Sequence, residues 1–119
     1  PVGALFHVPH GLSNAMLLSE VTALSVQSSP GRYSHCARHM GLAEGADDDR
    51  VACDKLVHGL RRLTADLSVP GPREYGIAES DWFGSLQRMA GQALASGSPA
   101  NNPRVPVAGE IVSLYERLW

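Results

Sequence analysis

Between Gly11 and Val26 the chain leaves a helix almost no polar face. Leu12, Ala15, Met16, Leu17, Leu18, Val21, Ala23 and Leu24 cover most of its circumference. A helix that is apolar nearly all round has to be surrounded by other elements. The remaining sequence must therefore wrap this segment. Pro9, just ahead of it, suits a helix start. Ser19, Glu20, Thr22 and Ser25 break the apolar run, which stays short of the roughly 20 residues a membrane span needs.

Four more helical patterns follow, separated by Gly and Pro. The second covers about Pro30 to Met40, with Ser29 as a cap and Pro30 in the first helical position. Tyr33, Cys36, Ala37 and Met40 form its expected inward stripe, and Gly41 its left-handed stop. The third covers about Asp48 to Leu67. Asp47-Asp48-Asp49 can cap it and complement its dipole, so the acidic run reads first as a solvated helix start rather than a metal or partner site. Leu56, Leu60, Leu63 and Leu67 make its stripe, and Val69-Pro70-Gly71-Pro72 ends it.

The fourth starts near Ser80 or Asp81, with Trp82, Phe83, Leu86, Met89, Ala90, Ala93 and Leu94 as its apolar face. A loop from Ser96 to Pro106 leads to the fifth, about Val107 to Leu118, with Ile111, Val112, Tyr115, Leu118 and Trp119 inward. No segment alternates cleanly enough for a strand. The expected fold class is all-α, an irregular bundle of about five main helices, with residues 1–119 as a single helical domain.

The chain has 119 residues, 44% of them hydrophobic, which allows one domain with a modest core. A formal charge of -2 with no Lys/Arg run gives no electrostatic footprint for nucleic acid. Cys36 and Cys53 form no C-x-x-C pair. Both fall in helical patterns and read as buried free thiols, which fits a reducing, cytoplasmic compartment. The first residue is Pro1 rather than Met, so further polypeptide upstream is expected.

The segment Phe6-His7-Val8-Pro9-His10-Gly11-Leu12-Ser13-Asn14-Ala15 sets two of the five histidines at a helix entrance. By spacing alone an H-x-x-H pair is more often incidental than a metal site, because a functional site needs three or four ligands. His35 and His39 share a helix face and could chelate, but with Arg38 adjacent and no third donor they read as solvent-exposed. No dinucleotide-binding glycine pattern, phosphate loop or G-x-S-x-G is present.

Gly3-Ala4-Leu5-Phe6-His7-Val8-Pro9-His10-Gly11-Leu12-Ser13-Asn14-Ala15-Met16-Leu17-Leu18 closely resembles a signature of iron-containing (group III) alcohol dehydrogenases. In that family a P-H-G-x-x-N-A segment opens a helix of the C-terminal domain. The similarity continues in register through Arg32-Tyr33, Ala37 and Gly41. It then runs through Val69-Pro70 and Tyr75-Gly76-Ile77 to Asn102-Pro103-Arg104 and Ile111 to Glu116. Two positions depart from it. Ser19 stands where proline is common, and Val107 replaces a threonine cap, which leaves the start of the last helix open.

The resemblance implies an NAD(P)-dependent oxidoreductase acting on a small alcohol or aldehyde. Its helical C-terminal domain partners an N-terminal nucleotide-binding domain, in an assembly compatible with a homo-oligomer. A divalent ion, Fe(II) or sometimes Zn(II), is held between the domains by one Asp and three His. His10 matches one of these ligands; the other three belong upstream, as does a further active-site histidine just before Pro1. The ion supplies Lewis acidity to the alcohol oxygen, and the nicotinamide takes the hydride. His7 would face the substrate cleft or simply pack, and Ser98 would line the pocket or sit in an ordinary surface loop. These residues alone are expected to be inactive and to hold no metal tightly. The alternative is a stand-alone helical interaction domain without catalytic activity, which the upstream sequence would discriminate.

Overall fold

The computed structural model describes residues 1–119. It contains seven α-helices and no strand. These are α1 (Val2–Phe6), α2 (His10–Ser25), α3 (Pro30–His39), α4 (Asp49–Asp66), α5 (Pro72–Tyr75), α6 (Glu79–Ala95) and α7 (Ala108–Glu116), with short 3-10 turns at Val26–Ser28 and Ser98–Asn101. Five helices have nine residues or more, and they are the five read from the sequence. The two short ones, α1 and α5, escape a periodicity reading because they make barely more than one turn each.

The residues form two compact units, Leu18–Ser68 and the combination of Pro1–Leu17 with Val69–Trp119; α2 runs from the second of these into the first. Along α2 only His10, Gly11, Asn14 and Leu18 are exposed. Its polar interruptions are among the most buried residues: Ser13, Ser19, Glu20, Thr22 and Ser25. Serine at mid-helix is tolerated when its hydroxyl bonds back one turn, and Ser25 does so, donating to the Val21 carbonyl at 2.8 Å.

In the unit Leu18–Ser68, α3 packs on α4. Fully buried Ala37 and Ala52 let the two backbones approach, and Leu56 and Leu60 complete the core with Tyr33, Leu42 and Ala43 against it. Asp48 caps α4 as expected, its carboxylate accepting the Val51 N–H at 2.7 Å, a contribution of about 1 kcal/mol. Gly41 takes the left-handed conformation that ends α3 (φ 70°). Asp47 accepts two hydrogen bonds from Lys55 Nζ. Those bonds, and the Glu44 N–H, hold its carboxyl below the usual carboxylate value. Arg61 donates two hydrogen bonds to buried Glu20, tying α4 to the end of α2.

Three sequence expectations need correction here. Ser29 precedes α3 but its hydroxyl makes no cap; the first-turn N–H groups of Arg32 and Tyr33 donate to the Ser29 carbonyl instead. The α3 stripe is narrower than expected, since Cys36 and Met40 are exposed and Ser34 is buried beside Ala37. In α4 the stripe ends at Leu60, with Leu63 43% and Leu67 67% exposed. Of the two thiols read as buried, Cys36 is exposed and Cys53 is buried, and burial pushes the Cys53 thiol pKa up, which keeps it unreactive.

In the other unit α6 packs on α7. Trp82 is the centre of an aromatic cluster, with ring centroids 5.7 Å from Phe6, 5.9 Å from Tyr115 and 6.4 Å from Trp119. Leu86, Met89 and Ala90 extend the core along α6, while Phe83 and Leu94 are exposed. On α7, Ile111, Leu114 and Tyr115 are buried, and Val112, Leu118 and Trp119 are half-buried. Val107 offers no capping side chain; the Glu110 carboxylate reaches back to accept the Val107 N–H at 3.0 Å and pairs with Arg104. That fixes the start of α7 at Ala108, the point the missing threonine had left open.

Candidate metal and substrate site

The turn His7-Val8-Pro9 joins α1 to α2 and presents both histidines of the motif. His7 sits in the left-handed region at φ 55°, ψ 26°, a conformation uncommon without glycine. Strained residues of this kind persist only where the surroundings over-determine them. Two contacts do so here. The Tyr75 hydroxyl, from α5, donates to the His7 carbonyl at 3.2 Å. Gly3, on α1, lets Val8 come so close that an added Cβ would lie 2.8 Å from the Val8 carbonyl oxygen. Val8 itself is buried and anchors the turn.

Because a backbone carbonyl cannot swing aside as a side-chain tip can, Gly3→Ala is expected to push the turn out of place. The cost should be about 1–3 kcal/mol, the range for overpacking. A urea melt reads it; a variant as stable as the parent would show that the close approach is not needed.

His10 is the first residue of α2 and is exposed. Its carbonyl accepts the Ser13 hydroxyl at 2.9 Å, fixing the backbone of the first turn. One turn further on, the Asn14 amide nitrogen lies 3.1 Å from His10 Nε2. Through its NH2 the amide donates to Nε2 and so occupies the one lone pair of the neutral ring; an ion bound at Nε2 would displace Asn14. The spacing of His10 and Asn14 by four residues already places them on one helix face, so this contact is readable in the sequence. The Tyr75 tether was not readable, because nothing local links residues 68 positions apart.

His7 is exposed, and Ser98 is exposed at the start of the second 3-10 turn, where its N–H donates to Ser96 Oγ at 3.2 Å. Hydrogen bonds thus join His10 to Asn14, His7 to Tyr75 and Ser98 to Ser96, but none joins the three residues to one another. An open groove of about 590 Å³ is lined by Ser29, Pro30, Gly31, Arg32, His35 and Asp49, and includes none of them. No three His, Cys, Asp or Glu side chains converge to hold an ion. His10 could therefore supply one donor to an ion, and no other side chains of these residues complete a shell around it.

The family model of the Fe-containing alcohol dehydrogenase family, C-terminal, matches residues 1–119. The chain is 30% identical over 119 residues to 1,3-propanediol dehydrogenase of Citrobacter freundii, covering 99% of this chain and 30% of that protein. It is 29% identical to the NADPH-dependent butanol dehydrogenase of Clostridium saccharobutylicum, covering 98% of this chain and 30% of the relative. A similar 29% holds for the bifunctional aldehyde-alcohol dehydrogenase of Escherichia coli (strain K12), of which it covers 14%. Among solved structures, 1,3-propanediol oxidoreductase superimposes with a TM-score of 0.89 at 27% identity, over 99% of this chain and 30% of that one. The chain thus spans between 14% and 30% of the length of these relatives.

Proposed function

Because the chain belongs to the Fe-containing alcohol dehydrogenase family, as its C-terminal domain, we propose that it is the metal-side and substrate-side part of an NAD(P)-dependent alcohol dehydrogenase, with His10 as one ligand of a divalent ion. The single observation that carries this reading is the exposed imidazole of His10 at the mouth of α2. A neutral imidazole is a good donor for Fe(II) or Zn(II).

When bound, the ion supplies Lewis acidity to the alcohol oxygen. The chain's own residues have three tasks. His10 contributes one donor from a backbone fixed by the Ser13 hydroxyl. Asn14 holds the ring from one turn away until an ion takes its place at Nε2. The His7 turn, held by Tyr75, Val8 and Gly3, keeps that helix mouth open rather than packed. Hydride transfer needs a nicotinamide whose binding residues lie in an N-terminal nucleotide-binding domain, the proposed partner. His7 and Ser98, both exposed, are proposed to face the substrate side. Small alcohols are the substrate class suggested by relatives named for 1,3-propanediol and butanol.

One test uses the 119 residues by themselves, with NAD or NADP, Fe(II) or Zn(II), and short alcohols. Absorbance at the reduced-nicotinamide wavelength should stay flat, since one donor of a four-ligand shell and no nucleotide site are present. Sustained turnover by the pure chain would contradict the division of labour proposed here.

A further inference from the structure

We propose that His35 and His39 on α3 form a second, independent site for a borderline divalent transition ion, a two-imidazole chelate unrelated to His10. Residues four apart on a helix stand one above the other on the same face, and histidines so spaced are a known way of presenting two nitrogens to one zinc-like ion. Both rings are exposed and stack with centroids 6.2 Å apart and 20° between their planes, so the His35 ring has to turn about its side-chain bonds to share an ion with His39, and its exposure leaves it room to do so.

A second observation points the same way. His39 Nδ1 lies 2.9 Å from the His35 carbonyl oxygen. A carbonyl only accepts, so Nδ1 carries the proton and the neutral ring keeps its lone pair on Nε2, the atom farthest from the backbone. Metal-ligating histidines almost always donate their second ring N–H to a carboxylate, a backbone carbonyl or water, and the carbonyl bond of His39 is one of these. The helix beneath is rigid as well. Ala37 is fully buried between the two histidines. Arg38 braces α3 by donating to the Asp47 carbonyl at 2.8 Å and to Ser34 Oγ at 3.1 Å.

No third protein donor converges on the pair. The nearby Asp49 carboxylate is engaged by Arg38 at 3.3 Å. The chelate is therefore two-coordinate from the protein, completed by water, and it favours ions that take imidazole readily: Ni(II), Cu(II) and Zn(II) over Mn(II) or Mg(II). It is the chain's own metal site, whereas His10 is one donor of a shared one.

Ni(II) is the probe, since it takes imidazole and is not reduced by the neighbouring exposed thiol of Cys36. Titration of the full 119-residue chain by calorimetry should give one Ni(II) per chain, and NMR should show the His35 and His39 ring signals broadening first. His35→Ala and His39→Ala should each weaken binding about tenfold or more, which is 1.4 kcal/mol or more. Alanine is the best helix former and both rings are exposed, so circular dichroism should be unchanged. His10→Ala and His58→Ala should bind Ni(II) as the parent does. Equal binding by the His35 and His39 variants, loss of binding in the His10 or His58 variant, or no binding by the parent would each overturn the proposal. None of these outcomes depends on the oxidoreductase reading.

Discussion

Replacing His10 with alanine in the proposed full-length oxidoreductase is expected to abolish tight metal binding and to lower kcat/KM for alcohol by about a thousandfold or more. Loss of a residue that merely orients a metal ligand costs roughly 10–100-fold, and His10 is proposed as a ligand itself. The same substitution should leave folding nearly untouched. The ring is exposed and its side-chain hydrogen bond is to Asn14, also exposed. Surface changes of this kind fall within about 0.5 kcal/mol. The contrast between the two readouts is the informative part. Steady-state kinetics with added Fe(II) or Zn(II), beside a thermal melt, measures both. Full activity in a His10→Ala variant would show that the ion, if any, is held without this ring.

Trp82→Ala should do the opposite, with the largest effect on stability. Trp82 is wholly buried among Phe6, Tyr115 and Trp119, and its indole N–H donates to the Tyr115 carbonyl at 3.2 Å. Deleting a buried indole removes its transfer energy and leaves a cavity, a loss of about 3–5 kcal/mol. Domains of this size have about 5–15 kcal/mol in total. The melting temperature followed by helical circular dichroism should therefore fall by more than about 10 °C. Trp82→Phe, which keeps ring contacts but loses the hydrogen bond, should fall by less. A shift of only a few degrees for the alanine variant would mean that the cluster is not the core it looks like.

The long helices were legible because apolar spacing and punctuation are local. Gly41, Asp48 and the Pro70-Gly71-Pro72 stretch each act through their own backbone, so their effect could be read before any packing was known. What was not legible depends on partners. A leucine stripe says which face is apolar but not how far a neighbour extends, and α4 outlasts its cover at Leu63 and Leu67. Cys36 and Met40 fit the stripe of α3 by spacing yet fall outside its contact with α4. Leu114, not among the residues expected inward on α7, is buried.

At the candidate site the sequence showed which imidazole to examine, because the P-H-G-x-x-N-A pattern marks His10. It showed neither the left-handed backbone at His7 nor the Tyr75 hydroxyl that braces it. The second depends on Tyr75, distant in sequence, reaching the His7 turn within one unit. His35 and His39 were legible as a shared face and as exposed side chains. The inward hydrogen bond that frees the outer nitrogen of His39 is a matter of rotamer, which spacing does not specify.

The most direct measurement is the divalent-metal content of the proposed full-length oxidoreductase, purified and dialysed free of weakly held ions, beside its His10→Ala variant. One retained ion per chain in the parent and none in the variant is the predicted result. An undiminished ion in the variant would contradict the assignment of His10 as a ligand.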